Sequence, residues 1–223
     1  MIALSGFRLA AYVRSHRVHQ ALLPILAVLA VVYATRAPAG QEAAVLADSA
    51  VMIVPFLAWA ARSVLDTEPD RQREMSAVLA GGRGRELAAG LLAALAACAT
   101  FAGLALAWGV LLGMSAGPPG AVLAAGIALH ALSTLTGLTL GALTSRALLP
   151  SPALSIMALV SGFVAMLLIS ASPLPWLTVP LTVWMREAGA DRLVAQLPGL
   201  GAVSLAWCLL GLTAYAWLRR TRP

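Results

Sequence analysis

Residues 87 to 145 read LAAGLLAALAACATFAGLALAWGVLLGMSAGPPGAVLAAGIALHALSTLTGLTLGALTS: 59 positions between Glu86 and Arg146 without a formal charge. A helix needs about 20 apolar residues to cross the hydrocarbon core of a bilayer. The stretch is too long for one helix and suits two, and Gly117-Pro118-Pro119-Gly120 divides it. This gives spans at about Leu87–Met114 and Ala121–Thr144. Further spans follow at about Val18–Thr35, Ala43–Val64, Pro152–Ala171 and Pro198–Leu218. The expected fold is an all-α membrane protein of six transmembrane helices, with no soluble domain.

Composition agrees. Hydrophobic residues make up 61% of the chain and charged residues 11%, against roughly 25% charged in soluble domains. Mean hydropathy is +0.88. All 15 basic residues are arginine. Without lysine there is no Walker A loop and no Schiff-base chemistry. Cys98 and Cys208 sit in apolar runs without metal-ligand spacing and read as packing residues. Arg8, Arg14 and Arg17 interrupt the first residues, so no cleavable signal peptide is expected.

Arginine placement sets the orientation. With both termini in the cytoplasm, twelve arginines lie inside, and only Arg36, Arg186 and Arg192 lie outside. Tyr33, Trp176 and Trp184 then mark the outer interface, and Trp59 and Trp217 the inner one. Met1–Arg17 reads either as an interfacial helix or as a plain basic flank. The helical reading puts Ile2, Leu9 and Val13 on one side and Arg8 and Ser15 on another. Ser172–Met185 is apolar but broken by Pro173, Pro175 and Pro180 and too short to cross, so residues 172–197 read as an extracellular hairpin, either re-entrant or an amphipathic loop resting on the headgroups.

Ten of the 24 formal charges fall between Arg62 and Glu86. There, Thr67 and Asp70 have capping-box spacing, Pro69 suits a first turn, and Glu68 and Asp70 complement the helix dipole. Met75, Val78 and Leu79 make one apolar face, and Gly81-Gly82 ends the helix. The expected element is a surface helix of about twelve residues, longer than a plain connector needs. It reads as a docking element for a cytoplasmic partner or as a solvated loop.

Within the spans, Asp48 is either an interfacial acid or part of a translocation pathway. His130, Ser133, Thr134 and Gly137 form a stripe that continues to Gly141, with a small-x-x-x-small packing signal. His130 reads as packing glue or as a proton relay lacking a partner acid.

A basic N-terminal helix, six spans, a charged loop helix after span 2 and a Pro/Trp-rich hairpin between spans 5 and 6 together resemble the ABC-2 type family of ABC-transporter permeases. The motif content of the likeness lies within about Arg62–Leu91. The family's commoner Gly in the acidic stretch and Pro-x-x-Arg before span 3 are absent, and Gly-Gly-Arg-Gly-Arg stands instead. The resemblance implies that Asp66–Glu86 is a coupling segment seated in a separate ATP-binding subunit. Asp66, Glu68, Asp70, Arg71, Arg73, Glu74, Met75, Leu79, Arg83 and Arg85 would carry that contact. It implies an outer gate at Pro173, Pro175, Trp176, Pro180 and Trp184. It also implies a dimer of permease chains in the cell membrane exporting a hydrophobic or amphipathic substrate. This chain would be no enzyme and hold no cofactor, with ATP and magnesium bound by the partner subunit and no nucleic acid involved. The rivals are an intramembrane enzyme and a non-transporting scaffold. Neither a Gly-x-Ser-x-Gly motif nor His-Glu-x-x-His is present.

Overall fold

The computed structural model describes residues 1–221; the Asp70 side chain, Arg222 and Pro223 lie outside the described residues. The chain forms α1 (Ile2–Arg14), α2 (Val18–Val32), α3 (Glu42–Met52), α4 (Val54–Leu65), α5 (Asp70–Leu79), α6 (Arg83–Leu112), α7 (Gly120–Leu143), α8 (Pro152–Ala171), α9 (Leu181–Gly189) and α10 (Leu193–Thr221). A 3-10 turn covers Pro175–Leu177. No strand occurs among the described residues.

Among the described residues, five helical segments are long and apolar enough to cross a membrane: Glu42–Leu65, α6, α7, α8 and α10. The first is α3 and α4 read together. Pro55, near the start of α4, lacks the N–H that would continue the ladder, so the helix breaks at Ile53 and resumes. A sixth span exists only if α1 and α2 count as one pair, and these are bent by 72°. The bend falls at Ser15–Arg17, where His16 takes a left-handed φ of 57°. Alone, α2 has 15 residues, or roughly 22 Å, short of the expected span. The long helices α6 and α10 also start earlier than expected, at Arg83 and Leu193, so Glu86 lies inside α6 and the hairpin before α10 is shortened.

Helices in lipid gain little from apolar burial against one another, so close backbone approach matters most. The α7 helix packs along α3 and α4 through its glycines. An added Cβ at Gly137 would stand 2.5 Å from Leu57 Cβ and 3.1 Å from the Ala58 nitrogen, and one at Gly141 would overlap the Ala58 carbonyl. The buried face of α6 is likewise mostly small, with Ala89, Gly90, Ala93, Ala94, Ala97 and Ala102 beside the larger Leu87 and Phe101. Gly109 and Gly113 make room for the Tyr33 ring, which is therefore buried against α6 rather than standing at an interface. By contrast α8 and α10 are each only 17% buried over their apolar windows.

The structure shows which faces of α1 and α9 meet the bundle. In α1 the residues turned inward are Arg8 and Tyr12, while Ile2 and Val13 are exposed. The reason is ionic: α1 lies on α6, where Arg8 finds carboxylates. Trp184 is fully buried in a cluster with Val54, Leu129, Leu132 and Leu193. It sits on α9, which packs against α3 and α8 rather than resting on headgroups.

At the end of the bundle away from α5, the chain is pinned by backbone. Ala37 N–H donates to the Gly113 carbonyl at 2.8 Å, and Ser115 N–H donates to the Ala37 carbonyl at 3.0 Å.

Candidate functional site

The arginine-rich end of the bundle is built around Arg8. Its Nη2 lies 2.5 Å from Glu68 Oε2 and 2.5 Å from Glu86 Oε1, and its Nη1 donates to the Glu86 carbonyl at 3.1 Å. Arg219 of α10 reaches Glu86 Oε2 at 3.0 Å. The Arg8 guanidinium on α1 thus joins the α4–α5 connection to α6, and Arg219 joins α6 to α10 through the same Glu86. Arg8 is 4% exposed. Burial pulls its pKa down, but the bonds and charges of Glu68 and Glu86 outweigh this and hold it above the ordinary value. Ion pairs this dry are strongly destabilised when one partner is removed, by about 3–5 kcal/mol.

Asp66 makes a second knot. Its carboxylate accepts the Arg146 N–H at 3.0 Å and lies 3.7 Å from Arg62 Nε, while its carbonyl accepts from Arg17 at 3.3 Å. Arg62 Nε also donates to Ser155, whose hydroxyl donates to the Thr144 carbonyl. Burial raises the Asp66 pKa above the usual carboxylate range; the Arg146 N–H and the Arg62, Arg73 and Arg146 charges offset this only in part.

These two knots hold α5. Arg73 donates to the Leu65 and Glu68 carbonyls, and Ser76 donates to Glu68 Oε1 at 3.4 Å. The helix has ten residues, and no side chain caps it. The capping-box expectation fails because Thr67 Oγ1 turns back to the Ser63 carbonyl of α4, and Glu68 is taken by Arg8. The glycine stop stands: Gly81 has φ 79°, Gly82 N–H reaches the Ala77 carbonyl and Gly81 N–H the Val78 carbonyl, a Schellman turn.

The outer face of α5 is apolar and open. Met75 is 61% exposed, Val78 80% and Leu79 89%. Arg71, Glu74, Arg83 and Arg85 are exposed around it. Of the anticipated coupling residues, then, Asp66, Glu68 and Arg73 face the bundle, and Arg71, Glu74, Met75, Leu79, Arg83 and Arg85 face out; the Asp70 side chain is outside the described residues.

The residues inside the spans split differently. His130 Nδ1 faces the Gly126 carbonyl at 2.8 Å, so it carries the proton, and Nε2 faces Ser49 Oγ at 3.3 Å. Tyr33 donates to Ser49 at 3.2 Å, Ser133 to the Ala50 carbonyl at 2.7 Å, and Thr134 to the His130 carbonyl at 2.9 Å. The stripe joins α7 to α3. Asp48 is half-buried and bonds none of these groups. At the far end Pro173 and Trp176 are exposed, Pro175 is half-buried and Pro180 is buried. The Trp176 carbonyl accepts from Trp207 at 2.8 Å, and Glu187 meets Arg192 at 2.8 Å and Arg186 at 3.4 Å.

Sequence reasoning missed Arg8, Glu86, Arg219 and Ser155. The available signal was Glu86 itself, an acid at a span boundary that needs a partner.

Comparison of the chain with protein-family models, curated proteins and solved structures gives no match. The class defined by fold and site is a multi-pass helical membrane protein with an ionic junction at one end and a short surface helix fixed to it.

Proposed function

We propose that this chain is the membrane-spanning permease subunit of an ATP-driven exporter of the ABC-2 type. The observation that carries the reading is α5: a surface helix with an open apolar face, anchored from beneath by buried ion pairs. A solvated connector needs neither an apolar outer face nor a fixed seat. A partner pressing on Met75, Val78 and Leu79 would move Glu68, and through Arg8 and Glu86 would pull on α1, α6 and α10 together.

In this reading ATP is bound by a separate subunit, as these 223 residues hold no lysine for nucleotide phosphates. The arginine bias favours a cytoplasmic position for α5 and both termini in the cell membrane. The sparsely buried α8 and α10 are the faces best suited to a second permease copy. A cavity of about 460 Å³ between α7, α8 and α10, lined mainly by apolar side chains with Thr136, Thr139 and Thr178, favours an apolar or amphipathic cargo.

The test is purification of the full chain in mild detergent together with the products of its neighbouring genes. A co-purifying ATP-binding subunit whose ATPase activity responds to Glu74→Arg supports the reading. Absence of any such subunit overturns it.

A further inference from the structure

We propose that the arginine-lined cleft between α5, the start of α6, the α7–α8 connection and the end of α10 binds a phosphate group, supplied by an acidic phospholipid headgroup or by free phosphate. The inference rests on the membrane assignment and stands apart from the transport reading.

The cleft has a volume of about 360 Å³ and is lined by five arginines, from α5, α6, the α7–α8 connection and α10, against Glu74 and Glu86. That volume lies in the range of small-ligand sites, roughly 300–1,000 Å³. Glu86 adds little negative charge to it, because its two oxygens are taken by Arg8 and Arg219. Arg83, Arg146 and Arg220 make no ion pair with any described carboxylate. Arg83, Arg146 and Arg220 come from three separate segments and gather at one cleft with few carboxylates beside them, an arrangement that suits an anion. Guanidinium forks fit phosphate oxygens in pairs.

The position suits a lipid. Basic clefts between membrane helices are a recurrent headgroup site. Leu87, Ala147 and Pro150 give the cleft an apolar wall for the glycerol backbone. Trp217, three residues before Arg220, is 63% exposed at the end of α10, where an indole belongs at a membrane interface. Arg146 is held in place from behind, its N–H bound to Asp66.

The full chain is purified in detergent and titrated with phosphatidylglycerol, with phosphatidylcholine and with inorganic phosphate, following Tm and bound lipid by native mass spectrometry. Phosphatidylglycerol should raise Tm where phosphatidylcholine does not. Arg83→Gln with Arg220→Gln should weaken that binding on the order of 30-fold. Arg14→Gln with Arg71→Gln, equal in charge but outside the cleft, should leave it unchanged. A shift from phosphate alone that the cleft variant loses assigns the site to free phosphate. Equal response to the two lipids with none to phosphate, or equal loss in both double variants, overturns the proposal.

Discussion

Gly90 of α6 and Arg8 of α1 are fitted to each other: a Cβ at position 90 would stand 2.5 Å from Arg8 Nη1 and 3.3 Å from Leu65 Cδ2. Mid-helix glycine normally costs about 1 kcal/mol relative to alanine. Gly90→Ala should nevertheless destabilise the protein by roughly 1–3 kcal/mol, because Arg8 cannot retreat without leaving Glu86. Thermal unfolding in detergent checks this; a stabilised variant would show that Arg8 has freedom the contacts deny it.

Arg8→Met should cost about 3–5 kcal/mol by stranding Glu68 in a dry site. Combined with Glu68→Gln it should regain a large part of that loss, since Glu86 keeps Arg219. A double-mutant cycle on Tm measures the coupling, and additive losses would deny the pair.

Asp66 predicts a pH dependence. Burial raises its folded pKa, so its contribution to stability is fully present below the unfolded value of about 3.9. That contribution is lost as pH rises through the raised folded value. Lowering pH from neutral towards about 4 should therefore favour the wild type relative to Asp66→Asn, whose amide oxygen still accepts the Arg146 N–H. Parallel Tm profiles for the two proteins would remove Asp66 from the balance.

Val78→Glu with Leu79→Glu should leave stability within about 0.5 kcal/mol, as both side chains are open to solvent. The same variant should lose its co-purifying ATP-binding subunit. Retention of that subunit would free α5 of any docking role.

The two ends of the bundle should label from opposite sides of the membrane. The native thiols Cys98 and Cys208 are buried, so a membrane-impermeant maleimide reads only introduced cysteines. Arg186→Cys should react from outside in intact cells, and Arg14→Cys only after lysis.

Much of the fold was legible because a crossing helix leaves a long local signature. The expected limits of α8 agree with Pro152–Ala171, and those of α7 differ by one residue at each end. Gly81-Gly82 was legible because a left-handed turn needs glycine. The junction was not legible. Arg8 meets partners 60 and 78 positions away, and Arg219 meets one 133 positions away; no local period records such pairs. In α1 the two sides were legible but not which of them meets the bundle; it is the side that carries Arg8. Trp184 misled for a related reason: an indole suits a headgroup zone or a tight core, and only the neighbouring helices decide which.

The fastening at Ala37 and Gly113 bears on how such a molecule could move. There the α2–α3 and α6–α7 connections are fastened by main-chain bonds, which do not titrate. The opposite end is closed by side-chain charges that can exchange partners. A push at α5 therefore meets a fixed fulcrum at one end and a set of latches at the other. The bundle should swing open from the arginine-rich end, as a clothes-peg opens from its jaws.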